Sequence, residues 1–205
     1  MVHESTHPLI KHKLSMLRAT STDSKQFREL VREITQLLCY EATAELPTQA
    51  VSIITPMGET EAEEISLTVG LIPILRAGLG MVDPMLALIP SASVWFLGMY
   101  RNEETHQPVY YYDPYKTDTP TDLALILDPM LATGGSANFA IDKVNAWGVK
   151  NIKFLSLISA PEGIKSLQTK HPDVPIHTAS IDSHLNDIGY IVPGLGDAGD
   201  RQFNT

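Results

Sequence analysis

Short, nearly continuous apolar runs recur along the chain from residue 67 onward, each bounded by polar or turn-forming residues. Continuous runs of this length indicate strands buried on both faces, whereas strict alternation would indicate a strand with one solvated face. The predicted strands are residues 67–75, 94–99, 123–127, 152–158 and 176–180.

Helical patterns separate several of these runs. An amphipathic helix begins near Phe27, where apolar residues recur every three or four positions, and Asp23 or Ser24 is placed to cap it. Further helices are predicted at residues 81–89, 137–147 and 162–170. The alternation predicts an α/β fold with a mostly parallel sheet flanked by helices. Ligands of such sheets bind at the carboxyl ends of the strands.

Composition limits what the chain binds. With 205 residues and 43% hydrophobic content, we expect a single domain over residues 1–205. The net charge of −9 disfavours nucleic acid as a partner, because that partner needs clustered cations, but it permits small phosphorylated ligands. Cys39 is the only cysteine and is expected to be a packing residue. Since the sequence contains no apolar leader or long apolar run, we expect a cytoplasmic protein with no membrane partner.

The strongest local signal follows the strand at 123–127. It consists of Asp128, Pro129, Met130, Leu131, Ala132, Thr133, Gly134, Gly135 and Ser136, and a predicted helix comes next. Glycines let backbone N–H groups converge at a helix N-terminus, where a phosphate monoester can bind, and the carboxylate of Asp128 can accept hydrogen bonds from a sugar. A plain tight turn is the alternative. The motif differs from the P-loop because no Gly-Lys-Ser/Thr follows.

Two arginines follow other predicted strands. Arg76 stands before glycines at the end of the 67–75 run, where a guanidinium is suited to a pyrophosphate. Arg101 follows the 94–99 run and offers a second guanidinium at the same edge. Residues 101–119 are predicted to form a β-hairpin flap. Taken alone, both arginines could equally be solvated surface residues.

The C-terminal segment 189–201 is rich in glycine and contains two aspartates. Its composition is poor for a helix or a strand, yet too apolar for a disordered tail, so we predict an ordered loop that presents its backbone. Backbone N–H and C=O groups can match the alternating acceptors and donors along the edge of a flat heterocyclic base. A purely structural loop is the alternative.

With these segments, the chain resembles the uracil phosphoribosyltransferases from end to end. The loop at 128–136 is common to many type I phosphoribosyltransferases, whereas Tyr-Ile-Val-Pro-Gly-Leu-Gly-Asp-Ala-Gly-Asp at 190–200 resembles the uracil branch. The resemblance also covers His7-Pro8-Leu9-Ile10, residues 100–105 and Ala160-Pro161-Glu162-Gly163-Ile164.

The resemblance implies a type I phosphoribosyltransferase fold and a pentosyl-transferring glycosyltransferase that joins uracil to 5-phosphoribosyl-1-diphosphate (PRPP). Arg76, Arg101 and the loop from Asp128 to Ser136 would bind PRPP. Uracil would lie against Ile191, Gly196, Asp197 and Ala198, with Asp197 also facing PRPP. The catalytic group would be Arg76, Arg101, Asp128 and Asp197. It further implies Mg²⁺ on the pyrophosphate, a homodimer or homotetramer, and GTP as an allosteric activator.

Three positions depart from the family pattern. Pro84 stands where glycine is common, and a proline is tolerated in the first turn of a helix. A lysine is frequent near Pro114, whereas the nearest one here is Lys116, so the contact of the flap with PRPP is in question. Asn204 replaces a usual glycine, and asparagine tolerates positive φ. Two alternatives stay open: a phosphoribosyltransferase for another base, and a regulatory protein that senses PRPP and binds RNA.

Overall fold

The computed structural model describes residues 1–101, 108–112 and 121–205, with the backbone alone for residues 99–101 and 108–112. In chain order its strands are β1 (Val2–Glu4), β2 (Thr48–Thr55), β3 (Gly58–Ile65), β4 (Val69–Leu75), β5 (Ser93–Val94), β6 (Leu97–Arg101), β7 (Pro108–Tyr112), β8 (Leu123–Leu127), β9 (Met130–Leu131), β10 (Asn151–Ser159), β11 (Ile176–Ile181), β12 (His184–Leu185) and β13 (Ile191–Val192). The helices are α1 (Pro8–Arg18), α2 (Ser24–Ala42), α3 (Val82–Leu88), α4 (Gly135–Ala146), α5 (Pro161–Lys170) and α6 (Ala198–Phe203), together with a 3-10 helix at Ala77–Met81.

The predicted mostly parallel sheet is confirmed. Its main strands follow the order β1-β11-β10-β8-β4-β6-β7, while β5 pairs with β4 and β9 with β10. Every described pair in this sheet is parallel except β6 with β7. Strands β4, β8 and β10 therefore end at a common edge, and the three predicted ligand-binding segments begin there or pack against it.

Helices cover both faces of the sheet. In β8, Leu123, Leu125 and Leu127 join the apolar cluster formed with α1, α2 and α3, while Ala124 and Ile126 join the cluster formed with α4 and α5. Successive side chains of a strand point to opposite faces, so a continuous apolar run is what two covered faces require. Because both faces are apolar, polar chemistry is confined to the ends of the strands.

Several local predictions are confirmed. Asp23 caps α2 by accepting a hydrogen bond from the Gln26 N–H at 2.8 Å. Pro84 lies in the first turn of α3, and Asn204 adopts a left-handed conformation with φ of 59°. Cys39 is buried, and burial raises the pKa of its thiol to about 11, as suits a packing residue.

The predicted flap is confirmed as far as the structure describes it. Strands β6 and β7 pair antiparallel, with Arg101 opposite Pro108. Residues 102–107 and 113–120, which include Pro114 and Lys116, lie outside the described residues, and so does the side chain of Arg101.

Some boundaries were predicted wrongly, and some elements were missed. The 94–99 run is two strands, β5 and β6, and the first residue of the predicted 81–89 helix belongs to the preceding 3-10 helix. The missed elements are β1, α1 and the hairpin of β2 and β3. Almost every residue of that hairpin is exposed, including Glu61, Glu63 and Glu64, so it has no buried face to give an alternating apolar pattern.

The outer edge of the sheet carries a stacked pair of histidines. His3 of β1 lies against His177 of β11 with ring centroids 4.6 Å apart. His177 is buried, and its Nε2 has no hydrogen-bond partner among the described residues. Burial, followed by the charges of His3 and Lys153, lowers the pKa of His177 to about 4, although Glu45 opposes the shift. The imidazole is therefore neutral in the folded protein at neutral pH.

Acid should destabilise the fold through His177. The unfolded chain takes up a proton there near pH 6.5 and the folded protein only near pH 4, so lowering the pH from 7 to 5 should remove about 1 to 2 kcal/mol of unfolding free energy. Urea denaturation of wild type and His177→Gln at both pH values measures this difference. His12→Gln, at an exposed histidine, is the matched control. An unchanged pH dependence in His177→Gln would contradict the prediction.

Candidate active site

The loop after β8 forms a concave surface at the start of α4. Gly134 is the N-cap of that helix with φ of 82°, and no side chain among the described residues caps it. The first N–H groups of a helix carry partial positive charge and lack intrahelical acceptors, so they suit an anion. A depression of about 70 Å³, lined by Asp128 and residues 130–137, lies here. The loop after β8 therefore presents backbone N–H groups at a concave surface, which is the geometry that a bound phosphate would need.

Asp128 stands at the entrance to this loop. Its side chain is half-buried, and its Oδ1 accepts a long hydrogen bond of 3.4 Å from the Met130 N–H. Burial raises the pKa of Asp128 to about 7, the Met130 N–H opposes the rise, and the negative charge of Asp197 adds to it. The carboxyl group can therefore be protonated or ionised near neutral pH, depending on what binds beside it.

Arg76 follows β4, and its side chain is exposed and therefore accessible to an anion. The Leu75–Arg76 peptide bond is cis. The turn after Arg76 lies directly on the end of β8, since a Cβ added to Gly78 would stand 2.4 Å from the Leu127 carbonyl oxygen. That contact keeps the Arg76 turn next to the loop that begins at Asp128.

The C-terminal segment is ordered, as predicted, but it is more regular than expected. Strand β13 pairs with β12, and residues Ala198–Phe203 form α6, so the expectation of a loop, drawn from a composition poor for a helix or a strand, is corrected. Asp197 makes the helix by capping it, because its Oδ1 accepts the Asp200 N–H at 2.9 Å. Of the residues predicted to contact uracil, Ile191 and Ala198 are buried, Asp197 is half-buried and Gly196 is exposed.

The structure brings the three segments together. Arg76 Nη2 lies 3.2 Å from Asp200 Oδ1. A Cβ added to Gly199 would stand 3.2 Å from Asp197 Oδ1 and 3.9 Å from Arg76 Nη2, so α6 begins against the Arg76 turn. The position of Arg101 is known for the backbone alone, at the end of β6 beside β4.

Sequence reasoning missed the contacts that join these segments. Asp200 was noted as one of two aspartates, but its ion pair with Arg76 was not foreseen. Glu162, at the start of α5, accepts the Leu185 N–H at 3.0 Å and ties the β12 strand to the phosphate loop side. Gly163 lets α5 approach that loop, because a Cβ there would stand 2.3 Å from the Ala132 carbonyl oxygen. Gly163 stands in the first turn of α5, and a glycine there could have indicated this close backbone approach.

The chain is similar to known proteins along almost its whole length. The family model of uracil phosphoribosyltransferase matches residues 4–205. The uracil phosphoribosyltransferase of Roseiflexus castenholzii is 58% identical over 201 residues, which make up 98% of this chain and 97% of that protein. The corresponding protein of Streptococcus suis is 54% identical, with 98% and 96% covered.

Solved structures agree on the fold. The AQ2163 protein from Aquifex aeolicus is 37% identical and superposes with a TM-score of 0.94 over 99% of this chain and 98% of that chain. The adenine phosphoribosyl transferase from Trypanosoma brucei is 13% identical, with a TM-score of 0.56 over 96% and 87%, so it shares the fold alone. The type I phosphoribosyltransferase fold and the full-length sequence match lead to one conclusion: the chain belongs to the uracil phosphoribosyltransferase family.

Proposed function

We propose that the chain transfers the 5-phosphoribosyl group of PRPP to N1 of uracil at the sheet edge formed by these loops, giving UMP and pyrophosphate. One observation carries the proposal: the phosphate loop at the start of α4, the guanidinium of Arg76 and the backbone-presenting segment around Asp197 lie against one another. Each is chemically suited to one part of the two substrates: the 5′-phosphate, the diphosphate and the base.

The two ends of PRPP are held by different groups. The N–H groups and hydroxyls from Thr133 to Ser136 receive the 5′-phosphate, while Arg76 and Arg101 receive the diphosphate. Asp128, when ionised, accepts hydrogen bonds from the ribose hydroxyls. The C1′–O bond lies between these anchors, and the edge of uracil lies against Ile191, Gly196 and Ala198, with Asp197 between base and PRPP.

Catalysis follows from where charge develops. As the C1′–O bond breaks, its electron pair leaves with pyrophosphate and positive charge builds on the ribose, until the C1′–N1 bond forms and the N1 proton is released to water. The departing pyrophosphate gains a negative charge as the bond breaks, so the guanidinium of Arg76 interacts more strongly with it than with the intact ester and lowers the barrier. The carboxylates of Asp128 and Asp197 stabilise the electron-deficient ribose.

Mg²⁺ would bind together with PRPP, mainly through the pyrophosphate. Among the described residues, no group of three or more His, Cys, Asp or Glu side chains could form a metal cage. Mg²⁺ commonly keeps several waters and binds substrate phosphates together with one or two carboxylates, for which Asp128 and Asp197 are available. When bound, the ion would neutralise charge on the pyrophosphate leaving group.

Assembly, regulation and location complete the proposal. The hairpin of β2 and β3 exposes Ile54 by 89% and Met57 by 96%, which favours a homodimer or homotetramer that covers them.

Activation by GTP rests on the family resemblance alone. None of the helices in the described ranges has the length and apolar character needed to cross a membrane. A cytoplasmic location is supported by the single buried, free cysteine.

The proposed reaction is tested by following UMP formation from uracil and PRPP with Mg²⁺. Asp128→Ala should lower kcat/KM on the order of 100-fold or more, because the ribose loses its hydroxyl acceptor. Gly199→Trp should abolish detectable turnover, because its side chain would displace Asp197 and Arg76. Lys11→Trp, on the exposed face of α1, is the control and should retain activity.

Rival bases separate the alternatives in the same assay. Cytosine, hypoxanthine and orotate should give no product at concentrations at which uracil saturates the enzyme. Product with one of them instead of uracil would replace the base assignment. PRPP binding without product from any base would favour the regulatory alternative.

The raised pKa of Asp128 makes a second prediction. Since burial favours the neutral acid, its contribution to stability is greatest at low pH and is lost as pH rises through about 7. Asp128→Asn should therefore raise the free energy of unfolding at pH 8 by about 1 kcal/mol, while lowering kcat/KM for PRPP. Urea denaturation and initial rates measure the two effects. Equal stability of the two proteins at pH 8 would contradict the proposed ionisation.

The hairpin makes a third prediction, on assembly. Replacing Ile54 and Met57 together by lysine should lower the mass of the particle in sedimentation, since two charges would enter an apolar contact. Glu61→Lys, on β3 of the same hairpin, tests the effect of added positive charge alone. A mass that stays constant in the double variant would exclude the hairpin as the contact.

A further inference from the structure

A guanidinium–carboxylate pair holds the backbone at Gly194, within the segment to which uracil is assigned. Arg18, at the end of α1, donates to both carboxylate oxygens of Asp182, at 2.5 and 2.6 Å. The same guanidinium donates to the Gly194 carbonyl oxygen at 2.7 Å, and Asp182 Oδ2 accepts the Gly194 N–H at 2.9 Å. Both polar groups of Gly194 are therefore fixed by one ion pair.

This pair is shielded from water. The side chains of Arg18 and Asp182 are 21% and 2% exposed. Burial alone would raise the pKa of Asp182, but hydrogen bonds from Arg18, Gly194 and Ser180 outweigh it and hold the pKa below its usual value. Charge-assisted, bidentate hydrogen bonds in such surroundings are among the strongest in proteins and the most demanding in geometry.

Gly194 is the position at which the segment changes direction. It has φ of 64°, and a Cβ added there would stand 2.1 Å from the Ile191 carbonyl oxygen. It lies between Ile191 and the turn at Gly196, the two places assigned to uracil. Any rotation of Gly194 would therefore move both sides of the base site relative to each other.

A second arginine strengthens the same attachment. Arg201 of α6 donates to the Leu195 carbonyl oxygen at 2.8 Å, and to the Leu17 and Ala19 carbonyl oxygens of the α1 terminus at 2.9 and 2.7 Å. Its guanidinium also lies 4.4 Å from the ring centroid of Phe27. Carbonyl groups in the last turn of a helix lack intrahelical partners. At the end of α1 two carbonyl groups accept hydrogen bonds from Arg201, which joins the C-terminal segment to this helix.

We propose that Arg18 and Asp182 are positioning residues that set the affinity and selectivity for uracil by fixing the Gly194 backbone. The proposal rests on the assignment of uracil to residues 191–198 under the proposed function. A purely structural role would alter the binding of both substrates. A positioning role should alter the binding of uracil and leave the phosphate loop at 133–136 unaffected.

The test separates the two substrates. In Arg18→Lys, Arg18→Met and the double variant Arg18→Met with Asp182→Asn, KM for uracil should rise about tenfold or more, while KM for PRPP and kcat stay within about twofold. Lysine keeps the charge but loses the fork, so its effect should be the smallest. Lys13→Met is the matched control, because Lys13 lies on the same helix in an exposed pair with Glu33.

The double variant guards against loss of folding. It removes both charges of the buried pair, so it leaves no unpaired charge inside the protein, and its thermal midpoint should exceed that of Arg18→Met. KM for uracil should nevertheless stay high, because the Gly194 carbonyl group still lacks its donor. Recovery of both stability and KM in the double variant would overturn the positioning role.

Two further outcomes are distinct. Equal increases in KM for uracil and PRPP, or no change in either, would also overturn the proposal. Gly199→Trp serves as the reference for the base site, and its affinity for UMP is measured by calorimetry because this variant should have no detectable turnover. If that variant binds UMP as tightly as wild type, the assignment of uracil to 191–198 is wrong whatever Arg18 does. Weakened binding there, together with an unchanged KM for uracil in the Arg18 variants, rejects the positioning role alone.

Discussion

The meeting of backbones at the carboxyl ends of β4, β8 and β10 is the constraint on which the site depends. At Gly78 and Gly163 the neighbouring carbonyl oxygen lies closer than any side chain would allow. Buried parallel strands supply apolar layers on both faces, so polar groups converge only where the strands stop. Close packing of the turns there brings the guanidinium, the helix start and the carboxylates within reach of one small molecule.

Charge is arranged locally, against the overall balance of the chain. The protein has a formal net charge of −9, yet its phosphate loop is uncharged from Thr133 to Ser136 and draws on backbone dipoles. Around it stand Asp128, Asp197 and Asp200, and the last of these pairs with Arg76. Before a substrate arrives, the acids balance the guanidinium. In the proposed reaction a pyrophosphate would compete for Arg76, and the carboxylates would then face the ribose, where positive charge develops.

Features that depend on residues close together in the sequence could be predicted, whereas features that depend on distant residues could not. Strand β8 and the loop after it are local patterns, since an apolar run, an acid and paired glycines define them within fourteen residues or so of one another. The hairpin of β2 and β3 escaped prediction because neither of its faces is buried within the chain, so its sequence carries no alternating apolar pattern. The capping of α6 by Asp197 was missed for another reason, because glycine content outweighed a good N-cap residue in the interpretation.

Long-range partners were beyond any pattern. Arg76 and Asp200 are 124 positions apart, and Arg18 and Asp182 are 164 apart. Nothing near Arg18 in the sequence distinguishes it from the solvated cations of the same helix, such as Lys11. Its role depends on the end of β11 and the turn at Gly194 arriving beside it, which only the complete topology brings about.

These separations also determine when the site exists. Contacts between distant residues require loop-closure entropy to be lost, so they depend on the chain having reached its overall topology. A chain that has built β4 and β8 but has not docked α6 on the end of α1 would hold a phosphate loop without a base site. Substrate affinity is therefore coupled to the cooperativity of the whole fold, and ligands that require all three loops bind the native state alone and shift the folding equilibrium toward it.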